Sequence, residues 1–258
     1  MTAYFERLDD SRFRATPSTG GAWNVEEQHV APALGLLTHT VERAFADRLA
    51  DGLQLSRLSF DILGVIPIEE VEVEAHVVRP GRTVELVEAS LSHGGRPAVA
   101  LRAWLVKRHE TAELAGDAFD AMPPLADLED WSGFDQWPGE FVRTVDVRGR
   151  RLAQGRAQVW LRPRVALLEN EAISPTVRLL SILDIANGLS PRFAPQAVLF
   201  PNVDLTAHLF AVPRGDWLGF DTTVAYGAGG LGVTHTVLHD ESGPIGTCVQ
   251  SLTIRPRA

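Results

Sequence analysis

The second half of this chain repeats the first. A shift of 143 positions carries Pro32 onto Pro175, Leu36 and Leu37 onto Leu179 and Leu180, and residues 59–62 onto 202–205. Nearer the ends the shift is 147, which takes Pro97 onto Pro244 and Leu105 onto Leu252. Each copy reads as a short strand pair, a proline-initiated helix, and then a run of strands. A duplicated unit of about 110 residues restricts the fold severely, because each copy must bury its own apolar surface and still match its twin. A helix followed by hairpin-linked strands implies an antiparallel sheet wrapped on that helix rather than a βαβ layer, so the class is α+β. The two copies are expected to pair edge to edge, which removes one open sheet edge from each.

The boundaries follow from charge. Residues 109–140 hold nine Asp or Glu and no Lys or Arg, which equals the net charge of −9 for all 258 residues. This segment, interrupted by Met122, Pro123, Pro124 and Pro138, reads as a solvated connector. It separates an N-terminal repeat, 1–108, from a C-terminal repeat, 141–258. The remaining sequence is neutral overall and offers no basic stripe, which argues against nucleic acid as a partner. Hydrophobic content of 45% is that of a globular protein. The single cysteine, Cys248, excludes an internal disulfide framework. No leader or membrane-length apolar segment is evident, so a cytoplasmic location without a membrane span is expected.

Strands are expected at 71–78, 83–92 and 98–107, and again at 203–210, 217–226, 233–239 and 246–255, from alternation and β-branched content. The first helix is expected over 33–47, opened by Pro32. The second is expected over 174–188, with Ser174 as its cap, Pro175 at its first position and Gly188 as a left-handed stop. Its faces are almost wholly apolar, with Thr176, Arg178 and Asn187 left for solvent. Asp184 therefore falls in the middle of a buried helix. A carboxylate there needs a partner or a task.

Gln250 poses the same question on a strand. Alternation puts it with Cys248, Leu252 and Ile254 on the apolar face, where a buried amide must find partners. The first copy has Val41 opposite Asp184 and Ala103 opposite Gln250. Both polar groups are thus present in one copy and apolar in the other, so the scaffold alone does not require them. An Asp and a Gln converging from helix and strand could hold one water.

Other constellations carry less. Gly227 to Gly232 match G-x-G-x-x-G, but a strand follows instead of a helix, so a glycine-rich bend near a ligand, with Gly229 and Gly230 at its tip, is the better account. His235 and His239 are four apart on a strand and lack a third ligand, so no metal is expected. No G-x-S-x-G elbow supports a serine hydrolase.

The sequence resembles the acyl-CoA thioesterase II (TesB-like) family, two fused hotdog domains. The resemblance lies in residues 179–184 (Leu-Leu-Ser-Ile-Leu-Asp), 202–206 (Asn-Val-Asp-Leu-Thr), 216–218 (Asp-Trp-Leu) and 247–250 (Thr-Cys-Val-Gln). A weaker match covers 27–34 before the first helix. It implies a double hotdog that hydrolyses acyl-CoA without a cofactor, its oligomeric state left open. It also implies that an Asp, a Gln and a Thr orient the attacking water, on Asp184, Gln250 and Asn202. Asn in place of Thr keeps hydrogen-bonding ability. On a regular strand, however, Asn202 faces away from Val203 and Leu205, and only a bulge would re-aim it. Thr206 and His208, on the same face as Asn202, are the reserve candidates. Backbone donors for an oxyanion are expected at the start of the first helix, around His29 and Val30. Two other readings stay open. One is an enoyl-CoA hydratase or dehydratase using Asp204 and His208. The other is a non-catalytic acyl-CoA or lipid binder.

Overall fold

The computed structural model describes residues 3–257. The N-terminal half runs β1 (Ala3–Arg7), β2 (Arg12–Ala15), α1 (Val30–Ala44), α2 (Ala46–Ala50), β3 (Leu53–Ile62), β4 (Glu70–Arg79), β5 (Val84–His93) and β6 (Arg96–Lys107). A two-residue strand, β7 (Glu129–Asp130), lies in the connector. The C-terminal half runs β8 (Val145–Ala153), β9 (Arg156–Pro163), β10 (Ala166–Leu168), α3 (Pro175–Leu180), α4 (Ala186–Leu189), β11 (Val198–Leu199), β12 (Asp204–Leu209), β13 (Leu218–Tyr226), β14 (Leu231–Asp240), β15 (Gly243–Thr253) and β16 (Arg255–Pro256).

Fourteen of these strands form one continuous sheet, in the order β10-β1-β2-β4-β5-β6-β3-β12-β15-β14-β13-β9-β8-β7. Six strands from each half occur in the same internal order, and the halves meet where β3 pairs antiparallel with β12. The expected edge-to-edge union is therefore present. The two outer edges are covered in part: β10 crosses over to pair with β1, and the connector's β7 pairs with Arg148 and Gly149 of β8. Unpaired backbone groups on long edges invite aggregation, and both devices shorten them.

The register corrects part of the repeat alignment. Ser59 pairs with Arg102, and Thr206 with Val249, an offset of 147 for both members. Ser59 thus corresponds to Thr206, not to Asn202 as the shift of 143 implied. These two equivalent residues face each other across the seam and share a hydrogen bond of 2.8 Å between their hydroxyls. A bulge recurs at the same offset. In the first copy the register slips between Leu55, opposite Leu105, and Arg57. In the second, Asn202 bridges Leu252 while Thr206 pairs with Val249, so one extra residue sits on the Asn202 side.

Helix α1 is enclosed by the sheet, and residues 31–39 are all buried. It begins at Val30, earlier than expected, because His29 caps it: the His29 Nδ1 accepts from the Ala31 amide at 3.2 Å. Pro32 thus sits in the first turn, where its missing N–H costs nothing. The second central helix departs from the continuous 174–188 expected. Ser174 caps α3 as anticipated, accepting from the Val177 amide at 3.1 Å with Pro175 next in the chain. The helix then breaks at Ile182, passes through a 3₁₀ turn at Leu183–Ile185, and resumes as α4. Gly188 lies inside α4 and is not among the positive-φ glycines. The two central helices cross at Gly35, where an added Cβ would lie 2.6 Å from the Ser181 Cβ. Ser174 also donates to Glu42 at 2.8 Å, tying α3 to α1.

The connector is only partly solvated. Residues 109–127 are largely exposed, but Leu128 and Trp137 are buried. Trp137 packs edge-on against Trp23 and Phe200, 5.0 and 5.8 Å between ring centroids. No helix among the described residues is long and apolar enough to cross a membrane.

Candidate active site

Asp184 lies in the 3₁₀ turn just after the helix break, beside a cavity of about 310 Å³ at the junction of the two halves. The break matters because it turns this segment out of the α3 axis while keeping it buried. One carboxylate oxygen, Oδ1, accepts from Gln250 Nε2 at 2.7 Å and from Asn202 Nδ2 at 2.6 Å. Both amides thus use the same oxygen and leave Oδ2 without a donor from either. Gln250 is fully buried on the inward face of β15, as alternation requires.

Asn202 reaches Asp184 because of the bulge. The extra residue between Asn202 and Thr206 reverses the inside–outside alternation, so Val203 is exposed and Asn202 turns inward. The Ser251 amide, displaced from regular pairing there, donates to the Asp204 carboxylate at 2.6 Å. Asn202 Nδ2 is held further by the Asp204 carbonyl at 3.1 Å. On its other side, Asn187 Nδ2 donates to the Phe200 carbonyl at 3.1 Å and, at 3.4 Å, to Asn202 Oδ1. This fixes the Asn202 amide with its N–H toward the carboxylate. On a continuous helix Asn187 would face solvent; here it is buried, because the helix breaks before α4.

The first helix supplies the opposite wall. His29 and Val30 line the cavity. His29 Nδ1 stands 3.8 Å from Asp184 Oδ2, but it is already the acceptor for the Ala31 amide. A neutral ring with that acceptor carries its proton on Nε2, so the pair is not an ion pair. Burial lowers the His29 pKa to about 3, which keeps it neutral. Val30, at the first helical position, has an amide that no carbonyl of its own helix can reach.

Burial pushes the Asp184 pKa up to about 7, against the lowering effect of the two amide hydrogen bonds. Loss of water is the larger influence, and a carboxylate poised near neutrality is suited to accept a proton. The cavity mouth is apolar and partly aromatic, with Trp23, Phe134, Trp137 and Phe200 among its walls. Trp137 and Phe134 come from the connector, which no sequence signal marked as part of a site.

Not all expected site residues converge. Asp184, Gln250, Asn202, His29 and Val30 come together. Thr206 does not: it faces outward at the seam and bonds Ser59. His208 is exposed on the same outer face. Gly229 and Gly230 lie in the hairpin between β13 and β14, away from the cavity-lining residues. Thr206 and His208 stay outside because their face of β12 never turns inward, unlike Asn202. The Asp204 and His208 pair needed for hydratase chemistry is likewise absent from the cavity walls. His235 and His239 share one face of β14, which pairs with β13 without a slip; His235 is exposed, and His239 is buried where the connector's Met122 lies against the sheet beside Gly219.

Comparison with known proteins agrees with this architecture. A family model described as the acyl-CoA thioesterase N-terminal domain matches residues 19–106, and its C-terminal counterpart matches 117–254. A hot dog fold protein of unknown function from Alicyclobacillus acidocaldarius superposes with a TM-score of 0.76 at 15% identity, covering 98% of this chain and 96% of that one. A candidate thioesterase II from Thermobifida fusca YX gives 0.73 at 19% identity, over 99% and 98%. The acyl-CoA thioesterase II TesB2 from Mycobacterium marinum gives 0.65 at 19%, over 98% and 96%. No curated protein matches the sequence. With both family models matched in order along a duplicated hotdog sheet, this chain belongs to the acyl-CoA thioesterase family.

Proposed function

We propose that the chain hydrolyses an acyl-CoA thioester by attack of a water activated by Asp184. The observation that carries this reading is the one-sided tethering of the carboxylate. Gln250 and Asn202 hold Oδ1, while Oδ2 is left to the cavity between them and the start of α1. In the proposed reaction Oδ2 takes a proton as the water oxygen attacks the thioester carbonyl carbon. The carbonyl oxygen gains the negative charge. The Val30 amide, at the positive end of α1 in the cavity wall, is a backbone donor suited to it. Collapse of the tetrahedral species breaks the carbon–sulfur bond, and the proton on Asp184 passes to the departing thiolate. Asp184 ends ionised, the product acid and the thiol leave, and the protons balance.

Asp184→Asn tests this cleanly. The amide oxygen of Asn can still accept from Gln250 and Asn202, so fold and ligand binding should survive. Thiol release from acyl-CoA should fall by about 10²- to 10⁴-fold, the usual contribution of a general base. Turnover within a few-fold of wild type would remove Asp184 as the base. A protein that binds acyl-CoA but releases no thiol in its wild-type form would be a binder.

A further inference from the structure

A second, larger groove of about 680 Å³ adjoins the catalytic cavity, the two sharing Phe134, Trp137 and Val142 as walls. Its character is different. No Lys or Arg lines the catalytic cavity, whose charged lining is Asp184 and Glu27. The groove carries Arg143, Arg148, Arg162 and Arg164 together with Asp130, Asp135 and Asp146, and the indoles of Trp131 and Trp217. In a chain of net charge −9, four guanidiniums converging beside the candidate active site need an explanation.

From this the geometry points to the groove as the seat of the phosphorylated nucleotide end of the thioester substrate, with the pantetheine arm crossing the Phe134–Trp137 wall. The inference rests on the acyl-CoA reading given above. Coenzyme A bears a diphosphate and a 3′-phosphate, and these polyanions find no cation in the catalytic cavity. The rim on the far side is formed by Asn24, Glu27 and the apolar Leu63 and Val65, which would repel or ignore them.

The arginines are engaged in ways a phosphate can displace. Arg162 and Arg164 share one carboxylate, Asp146, at 2.7 and 3.2 Å. Arg148 meets Asp130 at 3.4 Å, and Asp130 is 94% exposed. Arg143 pairs with Glu140 at 2.6 Å near the groove mouth. Exposed pairs of this kind hold weakly, whereas a phosphate offers a guanidinium two parallel charge-assisted bonds. Arg162 is already stacked on Trp217, 4.8 Å from the ring centroid, so one indole keeps a guanidinium in place. The other, Trp131, has the Arg151 guanidinium over its ring, 5.7 Å from the centroid, which brings a fifth arginine to the groove's indoles.

The test compares two substrates and one probe. In Arg148→Ala/Arg164→Ala, the KM for acyl-CoA should rise about tenfold or more, with kcat within about twofold. The matching acyl-pantetheine thioester, which lacks the nucleotide, should be hydrolysed by this variant as by wild type, and also reports that the variant is folded. Adenosine 3′,5′-bisphosphate should bind wild type, by calorimetry, and lose affinity by a similar factor in the variant. An unchanged KM for acyl-CoA, or an equal loss on both substrates, would overturn the proposal. If wild type hydrolysed neither thioester, the hydrolase reading would fall, and binding of the bisphosphate alone would still decide the groove: loss in the variant supports it, and no binding to wild type rejects it.

Discussion

An aspartate deprived of water keeps its proton to higher pH, and Asp184 does so in a place where the proton matters. With a pKa near 7, the proposed base can act only once ionised. Turnover should therefore rise with pH through about 7 and level above it, in a profile of kcat/KM. A rate already flat from pH 5 would contradict this assignment. The same shift acts on stability. Between the ordinary value of 3.8 and about 7, the folded chain holds a proton that the unfolded chain has released. Stability contributed at this position is thus greatest at low pH and falls as pH rises through that window. Asp184→Asn should remove that slope from a series of denaturant titrations, while other groups keep theirs. Asp184 and Gln250 were legible in the sequence because each is polar on an otherwise apolar face, at positions where the twin copy has Val41 and Ala103. Asn202 was named through family resemblance, and its orientation depended on a bulge that alternation cannot reveal. Asn187 was misassigned because its exposure was judged on an unbroken helix. Trp137 and Phe134 had no signal at all, being apolar residues in an acidic stretch.

At the level of elements, the candidate site depends on how closely the two central helices approach. Gly35 allows that approach, since any Cβ there would fall 2.6 Å from the Ser181 Cβ and 2.8 Å from its Cα. Gly35→Ala should cost about 1–3 kcal/mol in urea unfolding, the range typical of overpacking. It should also reduce kcat, because pushing α1 from α3 moves the Val30 amide relative to Asp184. A variant with wild-type stability would show that the helices can slide apart at no cost. The helices and the hairpin-linked strands were readable from periodicity and turn residues. The strand β3 was not among the strands expected, and its bulge explains why. Leu53, Leu55, Leu58, Phe60 and Ile62 make half of it apolar, but the register slip between Leu55 and Arg57 breaks their alternation. The break at Ile182 also escaped notice: every residue around it is compatible with a helix, and tertiary packing decides.

For the molecule as a whole, the seam between β3 and β12 makes two repeats into one sheet. Five residue pairs, from Asp204–Asp61 to His208–Arg57, join the halves by backbone hydrogen bonding, and the first helix of one half faces the candidate base of the other. Such a structure has no cleavage plane free of secondary-structure bonds. Scanning calorimetry should therefore give a single transition, with calorimetric and van't Hoff enthalpies in agreement; two resolved transitions would mean that each repeat melts alone. The acidic connector, far from a bare spacer, bolts Trp137 into the cavity wall and β7 onto the outer strand.

The repeated bulge leads somewhere further. At its first-copy position stands Leu55, where the second copy has Asn202, and Ala103 stands where the second has Gln250. The scaffold is present twice but the polar furniture only once. Saturation with a tight inhibitor should consequently reach one molecule per polypeptide, half the number that the symmetry of the backbone suggests.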